Sequence, residues 1–170
     1  MRKIAIVGPE SSGKTTLAQA LAAHYGAPWV PDPSRTWLEQ HGPTYTEADL
    51  VRIARYHVEL EQEALRVARG ARFLFIDTDL LNYRIWSQVK YGRVDPEIDR
   101  IVREVHYDLR LLCRPDIPWE PDPLRENPQD RERLFMIWSG ELRTCGHPFV
   151  TLQGDHGARM DAAVDSINGR

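Results

Sequence analysis

A stretch near the start of the chain combines the residue types that bind phosphate. Residues 4–15 read Ile-Ala-Ile-Val-Gly-Pro-Glu-Ser-Ser-Gly-Lys-Thr, which is the pattern G-x-x-x-x-G-K-T after an apolar, mostly β-branched run. Gly8 and Gly13 permit a tight turn whose backbone N–H groups point inward, where a side chain would keep phosphate out. We therefore predict a phosphate-binding loop (P-loop, residues 8–15) between a buried strand and a helix.

This loop predicts specific contacts to a nucleoside triphosphate. Lys14 is expected to reach the β- and γ-phosphates, and the Thr15 hydroxyl is expected to ligate Mg2+. The N-terminus of the helix adds unpaired N–H donors and the positive end of its dipole. Glycine-rich turns also occur for packing alone, but the Lys-Thr pair favours nucleotide binding. The predicted ATP-binding residues are Gly8, Glu10, Ser11, Ser12, Gly13, Lys14, Thr15 and Thr16.

Acidic residues follow two further apolar segments. Asp77 closes one of them, and we expect it to hold Mg2+ directly or through water. Asp79 lies two residues further on and is either a substrate-binding residue on the same side or the cap of the next helix. Asp32 is placed to orient an acceptor hydroxyl and to accept its proton, with Arg35 one helical turn later as a substrate or phosphate contact. The alternative for Asp32 is a turn aspartate paired with arginine.

A proline-rich loop predicts a lid. Residues 114–128 contain five prolines, which exclude a regular helix or a central strand. In a kinase, a mobile lid delivers arginines to the transferring phosphoryl group and excludes water. We therefore predict a lid at about residues 115–133, with Arg125 and Arg131 as its catalytic arginines. Trp119 either stacks on a flat substrate ring or anchors the loop.

Two other residues are weaker candidates for ligand contacts. His57 falls on the apolar stripe of a long helix predicted over residues 46–69, where it is either a core histidine or a substrate-binding residue. Residues 154–159 follow the last predicted strand, and we expect an adenine to rest there against the Arg159 guanidinium.

Strands alternate with helices along the chain. Because each strand is apolar along its length, the pattern indicates a parallel sheet covered by helices on both faces, an α/β fold. Ligands of such sheets bind at the carboxyl ends of the strands, which is where the polar segments fall. The predicted strands are residues 4–7, 28–30, 72–77, 107–113 and 148–153, and the predicted helices are 15–24, 46–69, 80–90, 96–105, 130–143 and 158–167.

Composition limits the class of partner. A net charge of −3 gives no support for binding to nucleic acid or to an anionic membrane, and no apolar stretch approaches the length of a membrane span. Cys113 and Cys145 lack the spacing of metal ligands and suit a reducing cytosol. We therefore expect a cytoplasmic protein with a small-molecule substrate and without a nucleic-acid or membrane partner.

Several motifs together resemble the ribosylnicotinamide kinase domain of NadR-type proteins. The resemblance implies a nucleoside-kinase-like P-loop fold with a five-stranded parallel sheet, as a single kinase domain over residues 1–170. It also implies ATP- and Mg2+-dependent phosphorylation of nicotinamide riboside to the mononucleotide in NAD salvage, with Asp32 serving the acceptor nucleoside. The motifs are Gly8-Pro-Glu-Ser-Ser-Gly-Lys-Thr-Thr16, Ala27-Pro-Trp-Val-Pro31, Asp77-Thr-Asp79, Tyr107-Asp-Leu109 and Asp116-Ile-Pro-Trp-Glu-Pro-Asp-Pro-Leu-Arg125.

Two positions on the expected acceptor side depart from this family. The family usually shows Glu-Tyr-Ala-Arg where this chain has Asp32-Pro33-Ser34-Arg35, and it often carries Gln where His57 stands. Two alternatives follow: a kinase for another nucleoside or nucleotide, or an NTP-binding regulatory module. The sequence lacks the Asn-Lys-x-Asp motif of a GTPase, and a pure sensor has no need of lid arginines. Both points favour an enzyme.

Overall fold

A computed structural model describes residues 1–121 and 129–169 of the chain. Its strands all pair in parallel in one sheet, in the order β2-β3-β1-β4-β5. The α/β class with five parallel strands predicted from the sequence is confirmed. The strands are β1 (Arg2–Val7), β2 (Trp29–Val30), β3 (Phe73–Asp77), β4 (Leu109–Cys113) and β5 (Phe149–Leu152).

Helices cover both faces of this sheet. Successive residues of a strand point to opposite faces, so Ile4 and Ile6 of β1 face one cluster of buried side chains and Ala5 and Val7 face another. The first cluster is closed by α1 and α7, and the second by α2 to α6. The helices are α1 (Lys14–Tyr25), α2 (Pro33–His41), α3 (Glu47–Val67), α4 (Leu81–Tyr91), α5 (Pro96–Glu104), α6 (Arg131–Thr144) and α7 (His156–Asn168).

The segment after β2 is helical, although no helix was predicted there. Helix α2 begins at Pro33 with Asp32 as its N-cap, because Asp32 Oδ1 accepts a hydrogen bond from Ser34 N at 2.9 Å. A proline suits the first helical position, since its φ is already helical and its missing N–H would be unpaired anyway. Arg35 therefore lies in the first turn of a helix.

A buried ion pair fixes the turn between β3 and α4. Arg110 Nε of β4 donates to Asp79 Oδ2 at 2.6 Å, and both residues are almost fully buried. The other carboxylate oxygen of Asp79 accepts from Leu81 N at 3.0 Å and so caps the start of α4. The turn that carries Asp79 is therefore fixed by contacts made in the interior of the protein.

Charged and polar groups are also buried beside α3. Glu61 binds Lys3 Nζ at 2.6 Å and accepts a hydrogen bond from the Tyr107 hydroxyl at 2.5 Å. His57 Nδ1 lies 3.2 Å from the Tyr83 hydroxyl.

No helix in the described part of the chain is long and apolar enough to cross a membrane.

Candidate active site

The P-loop packs directly on the end of β4. Gly8 has φ +135°, and a Cβ at this position would lie 2.6 Å from the carbonyl oxygen of Cys113. Gly13 has φ +79°, a conformation that side-chain-bearing residues seldom adopt. The backbone therefore requires glycine at both places: at Gly8 for close contact with the end of β4, and at Gly13 for the turn into α1.

The polar side chains of the loop are hydrogen-bonded within the protein. Lys14 Nζ and Ser12 Oγ each donate to the carbonyl oxygen of Pro9 at 2.8 Å. Thr15 Oγ1 donates to Asp77 Oδ2 at 2.6 Å. The structure thus brings together the predicted phosphate-binding lysine and the two predicted Mg2+ ligands at the carboxyl ends of β1 and β3.

Asp77 has an unused oxygen in a buried position. Its Oδ1 has no hydrogen-bond partner among residues 1–121 and 129–169. Burial raises the pKa of the Asp77 carboxyl to about 6, with a smaller contribution in the same direction from Asp32, while Lys14 and the Thr15 hydrogen bond lower that pKa. A buried carboxylate that lacks a partner on one oxygen is suited to a cation.

The Asp77 and Thr15 side-chain oxygens are of the kind that binds Mg2+. Within the described residues there is no cluster of three or more His, Cys, Asp or Glu side chains that could hold a metal ion. Mg2+ commonly binds one or two protein oxygens and completes its coordination with water and substrate phosphates. The Asp77 carboxylate and the Thr15 hydroxyl would supply those protein oxygens.

A cavity of about 410 Å3 extends from the P-loop between α2, α4 and α6. Asp32, Arg35, Asp77, Thr78 and Asn82 contribute polar groups to its wall. An apolar part of the wall lies beyond the P-loop and includes two tryptophans; it contains Leu38, Ile85, Trp86, Val89, Leu134 and Trp138. An apolar cavity with a few polar groups is typical of a small-molecule site.

Sequence reasoning missed several cavity residues. Asn82 and Trp86 are four residues apart on α4, so both lie on the same face of that helix. That spacing, directly after the acidic end of β3, was the available signal. Trp138 on α6 had no comparable local signal, because its direction depends on how α6 packs against the sheet.

Two predicted substrate-binding residues lie away from the cavity. The His57 side chain is fully buried and faces Tyr83 and Glu61, and burial lowers its pKa, so the ring is neutral at pH 7. Asp79 is bonded to Arg110 and to the start of α4. Neither residue is part of the cavity wall. The structure therefore favours the two alternatives, a core histidine and a helix cap, and corrects the substrate-binding interpretation.

The described part of the predicted lid rests on the P-loop. Arg131 Nη1 donates to the carbonyl oxygens of Ser11 at 3.2 Å and Ile117 at 3.0 Å, and Glu120 N donates to Ser11 Oγ at 3.1 Å. The Arg131 guanidinium carbon lies 5.6 Å from the centre of the Trp119 ring. Trp119 contacts the lid arginine and is not part of the cavity wall, so the anchoring alternative fits better.

The role of Arg131 in catalysis stays a prediction, although its guanidinium already lies against the P-loop. The second predicted lid arginine, Arg125, lies outside the described residues.

Arg159 binds the backbone of the P-loop at the Ser12 carbonyl. Its guanidinium is 3% exposed and donates to Ser12 O, to Gly154 O at 2.8 Å, to Arg114 O at 2.9 Å and to the Asp116 carboxylate. Because the side chain is almost fully buried, it offers no open face to an adenine. The predicted ATP contact is corrected to a structural role that links the P-loop to the ends of β4 and β5.

The raised pKa of Asp77 predicts a pH-dependent cost to stability. A carboxyl with a folded-state pKa of about 6 binds its proton more tightly than the unfolded chain does. Its stabilising contribution is therefore complete below about pH 4 and is lost as pH rises through 6. Two pKa units correspond to about 3 kcal/mol. Asp77→Asn, which can keep the Thr15 hydrogen bond without a charge, is expected to raise the free energy of unfolding by about 2–3 kcal/mol at pH 7.

Urea unfolding of the ligand-free protein between pH 4 and 8 measures this effect. The difference between variant and wild type should grow from pH 4 to 6 and stay constant above about pH 7. Asp161→Asn, at an exposed position of α7, is the matched control. A difference that is equal at pH 4 and pH 8 would show that the Asp77 pKa is not raised.

Comparison with known proteins gives a family and a set of relatives. A family model described as "AAA domain" matches residues 3–159. The chain is 30% identical over 176 aligned residues to the trifunctional NAD biosynthesis/regulator protein NadR of Salmonella typhimurium and, equally, of Escherichia coli. That alignment covers 98% of this chain but 42% of each NadR protein, so the chain spans about two fifths of the length of these curated relatives.

Solved structures share the fold. The crystal structure of a NadR protein in complex with NR matches 99% of this chain and 50% of that chain, with a TM-score of 0.82 and 21% identity. A deoxyadenosine kinase from M. mycoides matches 99% of this chain and all of that chain, with a TM-score of 0.67 and 15% identity. These matches confirm the predicted nucleoside-kinase-like P-loop fold.

Proposed function

The chain belongs to the family described as an AAA domain, with a NadR-like sequence, and on that premise we propose that it is an ATP- and Mg2+-dependent kinase that phosphorylates nicotinamide riboside. The observation that carries the proposal is the continuity of the cavity, because one space joins the P-loop to Asp32 and to an apolar wall with two tryptophans. Phosphoryl transfer requires a donor phosphate and an acceptor hydroxyl to be held side by side. A nucleotide-binding regulatory module has no need of an acceptor compartment next to the loop.

The donor half of the proposed mechanism uses the P-loop. Its backbone N–H groups and Lys14 bind the triphosphate, and Arg159 keeps the loop in shape through the Ser12 carbonyl. Asp77 and Thr15 would hold Mg2+, which when bound neutralises charge on the phosphate oxygens. Arg131, against Ser11, is the described lid residue best placed to turn toward the transferring group.

The acceptor half uses Asp32 and the wall formed by α4 and α6. Asp32 orients the acceptor hydroxyl and takes its proton as the bond to phosphorus forms. The partly buried Trp86 ring offers flat apolar surface for a nucleoside ring, and the buried Trp138 ring completes the wall beside it. Nicotinamide riboside carries a positive charge on its ring, and tryptophan binds cations better than other aromatic side chains do. The acidic groups Asp32 and Asp77 add attraction for the same charge.

Similarity to NadR supports nicotinamide riboside as the substrate. The resemblance to deoxyadenosine kinase concerns the fold alone, so a kinase for another nucleoside is the competing candidate. Pro33 and Ser34 stand where the family usually carries an aromatic ring and alanine, and this difference lies beside the cavity. The acceptor therefore needs a direct test.

We expect ADP release from ATP and Mg2+ to depend on nicotinamide riboside. A panel of nucleosides and mononucleotides would be compared at equal concentration, with product identified by mass and with EDTA as the control for metal dependence. Formation of the mononucleotide supports the proposal. Turnover only with another nucleoside would overturn the substrate, and binding of an ATP analogue without turnover on any acceptor would overturn the kinase itself.

A further inference from the structure

We propose that the Thr78 hydroxyl binds a substrate oxygen at the point of phosphoryl transfer, a role that no sequence motif indicated. The inference rests on the proposed kinase function and adds a residue to its site. Thr78 lies between Asp77, on the P-loop side of the cavity, and the buried Asp79.

The first observation is an unused hydroxyl. Thr78 is 1% exposed and lines the cavity, yet its Oγ1 has no hydrogen-bond partner in the described parts of the chain, 1–121 and 129–169. Buried hydroxyl groups are nearly always hydrogen-bonded, and an unpaired one disfavours folding. A ligand oxygen in the cavity would satisfy this group.

The second observation is the backbone conformation. Thr78 has φ +69°, in a region that β-branched residues rarely adopt. Glycine or asparagine would adopt it at lower cost, so the backbone alone does not explain a threonine here. The feature that distinguishes threonine from glycine and asparagine is its side-chain hydroxyl.

The conformation has a geometric effect on the site. Along a regular strand, consecutive side chains point to opposite faces. The left-handed residue at the end of β3 breaks this alternation, so that Asp77 and Thr78 both line the same cavity while Asp79 turns into the interior. Strain of this kind persists only where neighbours enforce it. Here Thr78 N donates to Ile6 O at 2.8 Å, and Asp79 is held by Arg110.

The position indicates which oxygen is bound. Asp77 lines the same cavity as Lys14 on the donor side and Asp32 on the acceptor side. Thr78, its neighbour, therefore faces the region where the acceptor hydroxyl meets the terminal phosphate. Its hydroxyl can donate to either oxygen.

Thr78→Val tests the inference, because valine keeps the branched shape and the strained backbone but lacks the hydroxyl. We expect kcat to fall about 10- to 100-fold, with a melting temperature close to that of wild type. Thr78→Ser should recover activity to within about threefold of wild type. Thr78→Gly should be as inactive as valine without being less stable than it, since glycine relieves the strain.

Calorimetric titration with a non-hydrolysable ATP analogue separates the two oxygens. Unchanged affinity in Thr78→Val, together with lower kcat, indicates the acceptor hydroxyl, whereas weaker affinity indicates a phosphate oxygen. A folded Thr78→Val with full kcat on an acceptor that wild type phosphorylates would overturn this inference alone. A wild-type protein that binds the analogue but phosphorylates no acceptor would overturn the proposed function and this inference with it.

Discussion

Lys14→Ala is expected to remove nearly all phosphoryl transfer, lowering kcat by about 1,000-fold or more. The ammonium group balances the charge that develops on the β- and γ-phosphates, and the described residues offer no other lysine on the cavity wall. In the ligand-free protein Lys14 Nζ is bound to the Pro9 carbonyl at 2.8 Å. This contact already holds the lysine within the loop before nucleotide arrives. When nucleotide binds, the lysine must exchange the Pro9 carbonyl for a phosphate oxygen.

Because Lys14 also bonds to the loop itself, a second variant is needed to separate charge from loop structure. Lys14→Met keeps most of the aliphatic stem and removes the charge, and we expect it to be as inactive as alanine. Arg66→Ala removes one exposed positive charge from α3 and controls for net charge. Steady-state kinetics and analogue binding are the measurements. A methionine variant within tenfold of wild-type kcat would show that Lys14 does not act on the phosphates.

The parts of the molecule that were predictable from sequence are those encoded locally. The P-loop follows from glycines at fixed spacing, and the central strands follow from continuous apolar runs that are buried on both faces. The long helix predicted from residue 46 similarly begins at a local signal, because Thr46 and Asp49 form a capping box at the start of α3.

The parts that were not predictable depend on packing between distant segments. Asp32-Pro33-Ser34 suits both a turn and a helix start, and the burial of Leu38 decides for the helix. Arg110 lies in an otherwise apolar strand, so nothing nearby in sequence shows that it pairs with Asp79. For the same reason, Arg159 was assigned to a ligand, although its acceptors come from three separate segments of the protein.

The candidate site divides in the same way. Its donor half lies within one strand–loop–helix unit and in the end of the adjacent strand, so sequence spacing was sufficient to find Lys14, Thr15 and Asp77. Its acceptor half is assembled from α2, α4 and α6, and only the direction of these helices brings Trp86 and Trp138 to the same cavity. The proposed acceptor half therefore depends on packing between helices, and the proposed donor half depends on the P-loop motif.

Asp32→Asn is expected to lower kcat by about 100- to 1,000-fold while largely sparing ATP binding. Asp32 has two roles in the structure, since Oδ1 accepts hydrogen bonds from Ser34 N at 2.9 Å and Ser34 Oγ at 2.6 Å while the residue also lines the cavity. The asparagine carbonyl can accept both hydrogen bonds and so preserve the cap of α2. It cannot take a proton from the acceptor.

Two further variants separate the role of Asp32 as the cap of α2 from its proposed role as the base. Asp32→Ala removes the cap and the base together, so it should lose stability as well as activity, by about 1 kcal/mol for the cap. Asp32→Glu moves the carboxylate by one methylene and restores the acid usual in the family, and we expect it to retain more activity than asparagine. Melting temperature, analogue affinity and kcat would be measured for all three. Full activity in Asp32→Asn would reduce Asp32 to a helix cap and require another group to accept the proton.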